Sequence, residues 1–313
     1  MKIINPLYDK AFKYLMDNEP LAKKILSVII DQDIISLESR PQETPVLVKE
    51  TKTSVLRVLR FDFTAIISTK EDERYATIIE VQKSRSPNPT PRFRRYLGKN
   101  YLNEHSYIDE NGQTQREHLP IISVYFLGYN LGTGEYDTPG ILVNNSVIDA
   151  ITKKPINIKH KFVKLLTHPC YILQVERLKE DRKTRLEKML SLFDQSHCTE
   201  DKYFLDVEEI DEEFNEVADY LSRPTLDSAF VRSLVYEEDY EKDLKEERQQ
   251  KEAAQKREDE ERRQKEEAQK REEEANKSLK KIIITMLDSG KALSEIANML
   301  DKTEKEVSKI IEV

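Results

Sequence analysis

A chain of 313 residues with 59 acidic and 51 basic side chains, formal charge −8, and only 38% apolar residues can build one sizeable core with appendages only if its charge is gathered outside that core. No apolar run approaches the roughly 18 residues that a membrane span needs, and the opening MKIINPLYDKAFKY has no apolar leader stretch, so a soluble, cytoplasmic protein without a membrane partner is expected. Cys170 and Cys198 form no CxxC pair and the five histidines are scattered, which argues for free thiols and against a zinc site.

In chain order, Asn5-Pro6 reads as an N-cap followed by proline at the first helical position. Leu7, Tyr8, Ala11, Phe12, Leu15 and Met16 make an apolar stripe at helical spacing, with Asp9 at its edge. Asn18-Glu19-Pro20 closes this helix and opens the next, whose apolar face carries Leu21, Ile25, Val28 and Ile29. Residues 33–50 hold Pro41 and Pro45 and read as loop before a short strand at 46–48.

Two strands follow. Residues 60–68, RFDFTAIIS, place Asp62 mid-strand among apolar neighbours on both faces, so its carboxylate is desolvated unless a positive group meets it. Residues 75–84, YATIIEVQKS, carry Glu80 and Gln82, which strand alternation points to one face while Lys83 points to the other. The polar turn at residues 69–73 suits an antiparallel hairpin between them. Two carboxylates from adjacent strands, with the carbonyl of Val81, make a hard oxygen site suited to Mg²⁺, with Mn²⁺ as a substitute. Such an ion generates hydroxide and stabilises the leaving oxygen in phosphodiester hydrolysis.

Downstream, residues 83–99 hold Lys83, Arg85, Arg92, Arg94, Arg95 and Lys99 and no acid, a local basic patch on an acidic chain. Pro87, Pro89 and Pro91 predict an extended linker before a helix that puts Phe93, Leu97, Asn100 and Tyr101 on one side. On another side lie Arg92, Arg95 and Lys99. With Lys83 and Arg85 they are candidate contacts to a DNA backbone, where cations set affinity and register. Taken singly, Asp62 also reads as a buried acid paired with Arg60 or Arg94, Glu80 as an edge-strand charge, and the basic stripe as a solvated face.

Asp62 followed by Glu80-Val81-Gln82, between an N-terminal YDKAFKYLM helix and an RFRRYLGKNY helix, resembles the PD-(D/E)XK nuclease superfamily. More closely it resembles the branch of transposase-like, recombination-promoting nucleases. The resemblance spans roughly residues 5–235 and implies a restriction-endonuclease-like α/β fold with an αβββαβ core. It implies that Asp62 and Glu80 hold the metal and that Asp9, on the first helix, is an accessory acid. Asp9 reads equally as a first-turn carboxylate favoured by the helix dipole. Gln82 stands where that superfamily has a lysine; it orients water or phosphate by hydrogen bonds but brings no charge.

Further along, residues 121–127 predict a strand and residues 128–134 a glycine-containing loop without the GK[ST] ending of a phosphate cradle. Residues 170–175 predict a strand, and residues 182–193 and 210–221 helices that pack on the core. Residues 236–277 are almost wholly polar. Acid-to-base pairs at i, i+4 (Glu252 with Lys256, Glu258 with Arg262, Glu261 with Lys265, Glu266 with Lys270, Glu267 with Arg271) predict a stiff charged single helix or spacer, with disorder the alternative, and the charged second seam position argues against a strong coiled coil. In the last block Gly290 reads as a helix stop, with Ser294 and Thr303 as N-caps of two helices resembling a helix-turn-helix. Lys305 and Lys309 there are balanced by Glu304, Glu306 and Glu312, so protein contact or helix packing is favoured over DNA contact.

The sequence therefore predicts a nuclease-like domain over 1–235, a charged helical linker over 236–277 and a helical block over 278–313. The expected function is metal-dependent DNA cleavage linked to transposition or recombination, with a homodimer favoured for a double-strand cut. The alternative is a binding or assembly protein that keeps the fold with weakened cleavage.

Overall fold

A computed structural model describes the backbone of the chain except at residues 42, 51–52, 61, 72, 84–88, 109–110, 133–136, 159 and 313. For residues 43–50, 53–60, 89–93, 241, 244–245, 248 and 312 it describes the backbone course alone. The chain forms two compact units, Met1–Asp239 and Tyr240–Val313.

In the first unit β1 (Lys2–Ile4) runs into a turn, not a helix. Buried Asn5 accepts the Leu7 N–H on its side chain at 3.1 Å and the Tyr8 N–H on its carbonyl at 3.3 Å. Helix α1 (Asp9–Met16) therefore starts later than Asn5-Pro6 predicts, and the Asp9 and Lys10 amides donate to the Glu237 carboxylate at 2.7 and 3.2 Å. That carboxylate does the work of an N-cap supplied from far along the chain. All six residues of the predicted stripe are buried. Helix α2 (Glu19–Ile30) begins where predicted, with Asn18 accepting the Leu21 N–H at 3.3 Å.

Residues 33–50 are more regular than expected. They hold β2 (Ile34–Ser39) and one strand of a ribbon in which β3 (Glu43–Glu50) pairs antiparallel with β4 (Thr53–Arg60). The strand predicted over 60–68 is not continuous: β4 ends at Arg60, Asp62 lies in a bend, and β5 (Phe63–Thr69) begins after it. β6 (Arg74–Gln82) returns antiparallel to β5, as the turn at 69–73 predicts. Helix α3 (Pro89–Leu102) takes Pro89 and Pro91 into its first turn, where a missing N–H breaks no helical bond, so those prolines start the helix. Pro87 lies outside the described residues.

β7 (His105–Ile108) and β8 (Thr114–Glu117) form a hairpin, and β9 (Ile121–Leu127) matches its predicted bounds. Then come β10 (Gly140–Val143), α4 (Lys161–Leu165), β11 (Cys170–Gln174), α5 (Arg185–Leu190), β12 (Phe204–Asp206), α6 (Asn215–Ser222) and the long α7 (Ser228–Asp288). The helices predicted over 182–193 and 210–221 are shorter, each joined to a 3₁₀ turn.

The central sheet has six strands in the order β10-β11-β9-β6-β5-β2. β9 runs parallel to both β6 and β11, while β2, β5 and β6 form an antiparallel meander. Alternation sorts its two faces. Phe63, Ala65, Ile67, Ile79, Ile122, Val124, Phe126 and Leu173 join α1, α2, α5, α6 and Leu234 of α7 in the main core. Phe126 is its hub, with ring centroids 5.5 Å from Phe12 and 4.7 Å from Phe193, and burying one such ring is worth about 1.5–3 kcal/mol. The opposite face carries a smaller cluster of Ile66, Ala76, Ile78 and Ile121, covered by Tyr96 of α3 and by Leu119. Of the predicted apolar side of α3, Leu97 packs on this cluster, Tyr101 is exposed and the Phe93 side chain lies outside the described set; Tyr96, outside that predicted side, is buried.

In the second unit, the end of α7 packs with α8 (Leu293–Met299) and α9 (Glu304–Glu312) around Ile283, Ile296, Ala297 and Val307. Gly290 stops α7 as predicted, at φ +89°, with its N–H on the Leu287 carbonyl and that of Lys291 on Met286. Thr303 caps α9 in a reciprocal box with Glu306. The other predicted cap fails: α8 is capped two residues earlier than Ser294, at Ala292, without a side-chain hydrogen bond. Of the five predicted ion pairs along α7, Glu267 with Arg271 is formed at 3.7 Å, beside unpredicted Glu247 with Lys251 and Arg262 with Asp259 and Glu266. Exposed pairs of this kind exchange partners at little cost.

Candidate metal and phosphodiester site

The β5–β6 ladder begins at Phe63 opposite Ile79. Asp62 lies one residue before that ladder on the β5 side and Glu80 one residue beyond it on β6, and both are buried, 8% and 4% exposed. Alternation along β6 puts the Glu80 side chain on the sheet face that α3 covers, in line with Ile78. Asp62 owes its position to the break in the strand. Where the chain bends away from the ladder, its Oδ2 takes the Val81 N–H at 2.6 Å, replacing the carbonyl a continued strand would offer. A residue's N–H and C=O leave a strand on the same side, so the Val81 carbonyl emerges beside Asp62. Two carboxylates and a carbonyl are the donor chemistry that a hard divalent cation takes. Among the described residues no three His, Cys, Asp or Glu side chains gather as a metal set, so the carboxylate pair has no third such partner within that group.

Glu80 has a second neighbour that the sequence reading missed. Parallel pairing sets Tyr125 of β9 directly beside it. Burial foremost, then Cys170 and the Glu80 charge, push the Tyr125 phenol far up, so it stays protonated. Gln82, two residues beyond Glu80 on the same face, is half-buried, and its Oε1 accepts the Tyr129 hydroxyl at 3.0 Å. The Gln82 carbonyl accepts the Gly128 N–H at 2.9 Å. Tyr129 was equally missed. The alternation within IISVYFLGY is visible in the sequence, but which residue of β9 lies beside which of β6 is not.

The remaining candidates are dispersed. Lys83 turns to the other side, where it ion-pairs with Glu238 and lies 3.7 Å from the Tyr8 ring centroid. Asp9 heads α1, which packs on the main-core face, and its Oδ2 holds Lys13 at 2.7 Å. Arg94 and Arg95 are exposed on α3, and Lys99, one turn beyond Tyr96, is half-exposed. Only the backbone of Arg92 is described, as of Arg60, and Arg85 lies outside the described residues.

Farther down the covered face, under the end of α3, a polar cavity of about 230 Å³ is lined by Arg40, Thr64, Ile66, Asn100, Asn103 and His105. Burial, with Arg40 and Arg74 adding to it, holds the His105 imidazole below its usual range and hence neutral at pH 7.

Among the described residues no helix is long and apolar enough to cross a membrane. Compared with known proteins, the chain matches no protein-family model, no curated protein and no solved structure.

Proposed function

We propose that this protein is a metal-dependent DNA endonuclease. The observation that carries the reading is the placement of two carboxylates, Asp62 just before β5 and Glu80 on β6, both under one-tenth exposed, with the amide of Val81, next to Glu80, fixing Asp62. Two buried carboxylates near one backbone carbonyl offer the hard oxygen donors that a divalent cation takes. The order α2, β2, β5, β6, α3, β9, with β9 parallel to β6, supports the restriction-endonuclease-like αβββαβ core that the motif implies.

In this reading Asp62, Glu80 and the Val81 carbonyl hold Mg²⁺ or Mn²⁺, which when bound supplies a nucleophilic hydroxide and neutralises charge on the phosphate. Gln82 orients the attacking water or a phosphate oxygen through its amide N–H groups. Arg95 and Lys99, with Arg92 and Arg85, seat the DNA backbone. Lys83, tied to Glu238, and Asp9, tied to Lys13, are the weaker members of the predicted set. A role in transposition or recombination belongs to the same proposal. A second reading, a DNA-binding or assembly protein on this fold, draws on one observation: Gln82 brings no charge where a lysine would.

Nicking of supercoiled plasmid decides between them. Purified protein should nick with Mg²⁺ or Mn²⁺ and not with EDTA, and Asp62→Asn should abolish it. Binding that weakens as salt rises, without nicking in any metal, would favour the second reading.

A further inference from the structure

We infer that Tyr129 is a positioning residue that sets the direction of the Gln82 amide, and so supplies the order that glutamine lacks relative to lysine. The inference rests on the nuclease reading for its purpose and on its own geometry for its existence. A glutamine amide has an acceptor end and a donor end, and only the donor end can serve an anionic phosphate or hold a water lone pair. The Tyr129 hydroxyl donates to Oε1 at 3.0 Å, which commits the acceptor end. β6 lies between β9 and β5 in the sheet, and Tyr129 follows β9, whereas Asp62 precedes β5. Holding the oxygen on the β9 side leaves the N–H₂ group to the β5 side, where Asp62 stands. A lysine ammonium would donate in every rotamer and would need no such partner.

The approach of Tyr129 is built in by its neighbour. Gly128 donates its N–H to the Gln82 carbonyl at 2.9 Å, and a Cβ placed there would lie 2.5 Å from the Lys83 carbonyl oxygen and 3.0 Å from Leu7. Glycine thus lets the loop press against the end of β6, which brings the phenol within reach of Gln82.

Three variants test this: Tyr129→Phe, Gln82→Lys and the double variant, each checked for wild-type circular dichroism. Tyr129→Phe should lower the nicking rate at saturating DNA roughly five- to tenfold, the worth of one positioning hydrogen bond, with KM little changed. In the Gln82→Lys background the same change should have less than about a twofold effect, because the partner is gone. Equal losses in both backgrounds would show a merely structural tyrosine and overturn the inference, as would no loss in the wild type.

A second readout is independent of cleavage. The side-chain amide resonances of Gln82, identified by their disappearance in Gln82→Lys, should shift in Tyr129→Phe, and unchanged resonances would also overturn the inference. Absence of nicking in the wild type would defeat the nuclease reading and the catalytic purpose given to Tyr129, while the amide resonances would still decide whether the contact exists.

Discussion

At the scale of single residues, Asp62 does two jobs that substitution can separate. Its charge belongs to the carboxylate pair; its Oδ2 satisfies the Val81 amide at the frayed end of the β5–β6 ladder. Asparagine keeps an acceptor for that amide and removes the charge. Asp62→Asn should therefore lose Mg²⁺ binding by titration calorimetry with a stability change under about 1 kcal/mol. Asp62→Ala leaves a buried N–H without its acceptor and should cost about 1–3 kcal/mol in urea unfolding as well. A third residue-scale expectation concerns Glu238. Burial opposes its ionisation, but the Lys83 ammonium and the Tyr8 hydroxyl outweigh that and hold its carboxyl below the ordinary range. A carboxylate with a lowered native pKa contributes stability that is present above its unfolded pKa of about 4.3 and is lost as the pH falls through the native value. Glu238→Gln should accordingly narrow the stability gap between pH 7 and pH 3 in pH-stepped thermal melts.

At the scale of elements, the end of β6 is pinned by Gly128. Gly128→Ala forces the loop off the Lys83 carbonyl and should cost about 1–3 kcal/mol while carrying Tyr129 away from Gln82, so its nicking loss should equal or exceed that of Tyr129→Phe. Much of this was legible in the sequence. Alternation alone set Glu80 and Gln82 on one face and Lys83 on the other, and the apolar stripe of α1 named six residues that are all buried. What was not legible depended on register and on distant partners. Asp62 was read as mid-strand because its neighbours are apolar, yet the chain bends there and the carboxylate replaces a ladder carbonyl. The Asn5 cap was misread because the acid that serves the α1 amides, Glu237, lies more than two hundred residues away. Tyr96, two residues after Arg94 and next to Arg95, stands outside the apolar spacing of its helix, yet on the folded helix it is 4% exposed.

At the scale of the whole molecule, the first unit keeps the beginning of α7 within its own bounds. Leu234 is fully buried in the main core, and Glu237 and Glu238 serve α1, Tyr8 and Lys83. A chain ending after Asp239 should therefore keep the cooperative unfolding of this unit, whereas one ending after Asp227 should lose about 2–5 kcal/mol from the Leu234 site alone, measured by denaturant melts. The position of the unit boundary, slightly past the sequence-based 235, follows from these contacts. The topology also orders the birth of the site. The contact between Asp62 and Val81 closes across 19 residues through a hairpin, while the one between Gln82 and Tyr129 spans 47 and waits for α3 and the parallel docking of β9. On a chain leaving the ribosome the acidic pair assembles first, before the donor that is to face it. Changes in the hairpin contact should therefore alter the folding rate more than changes in the Gln82–Tyr129 contact, which should act mainly on unfolding.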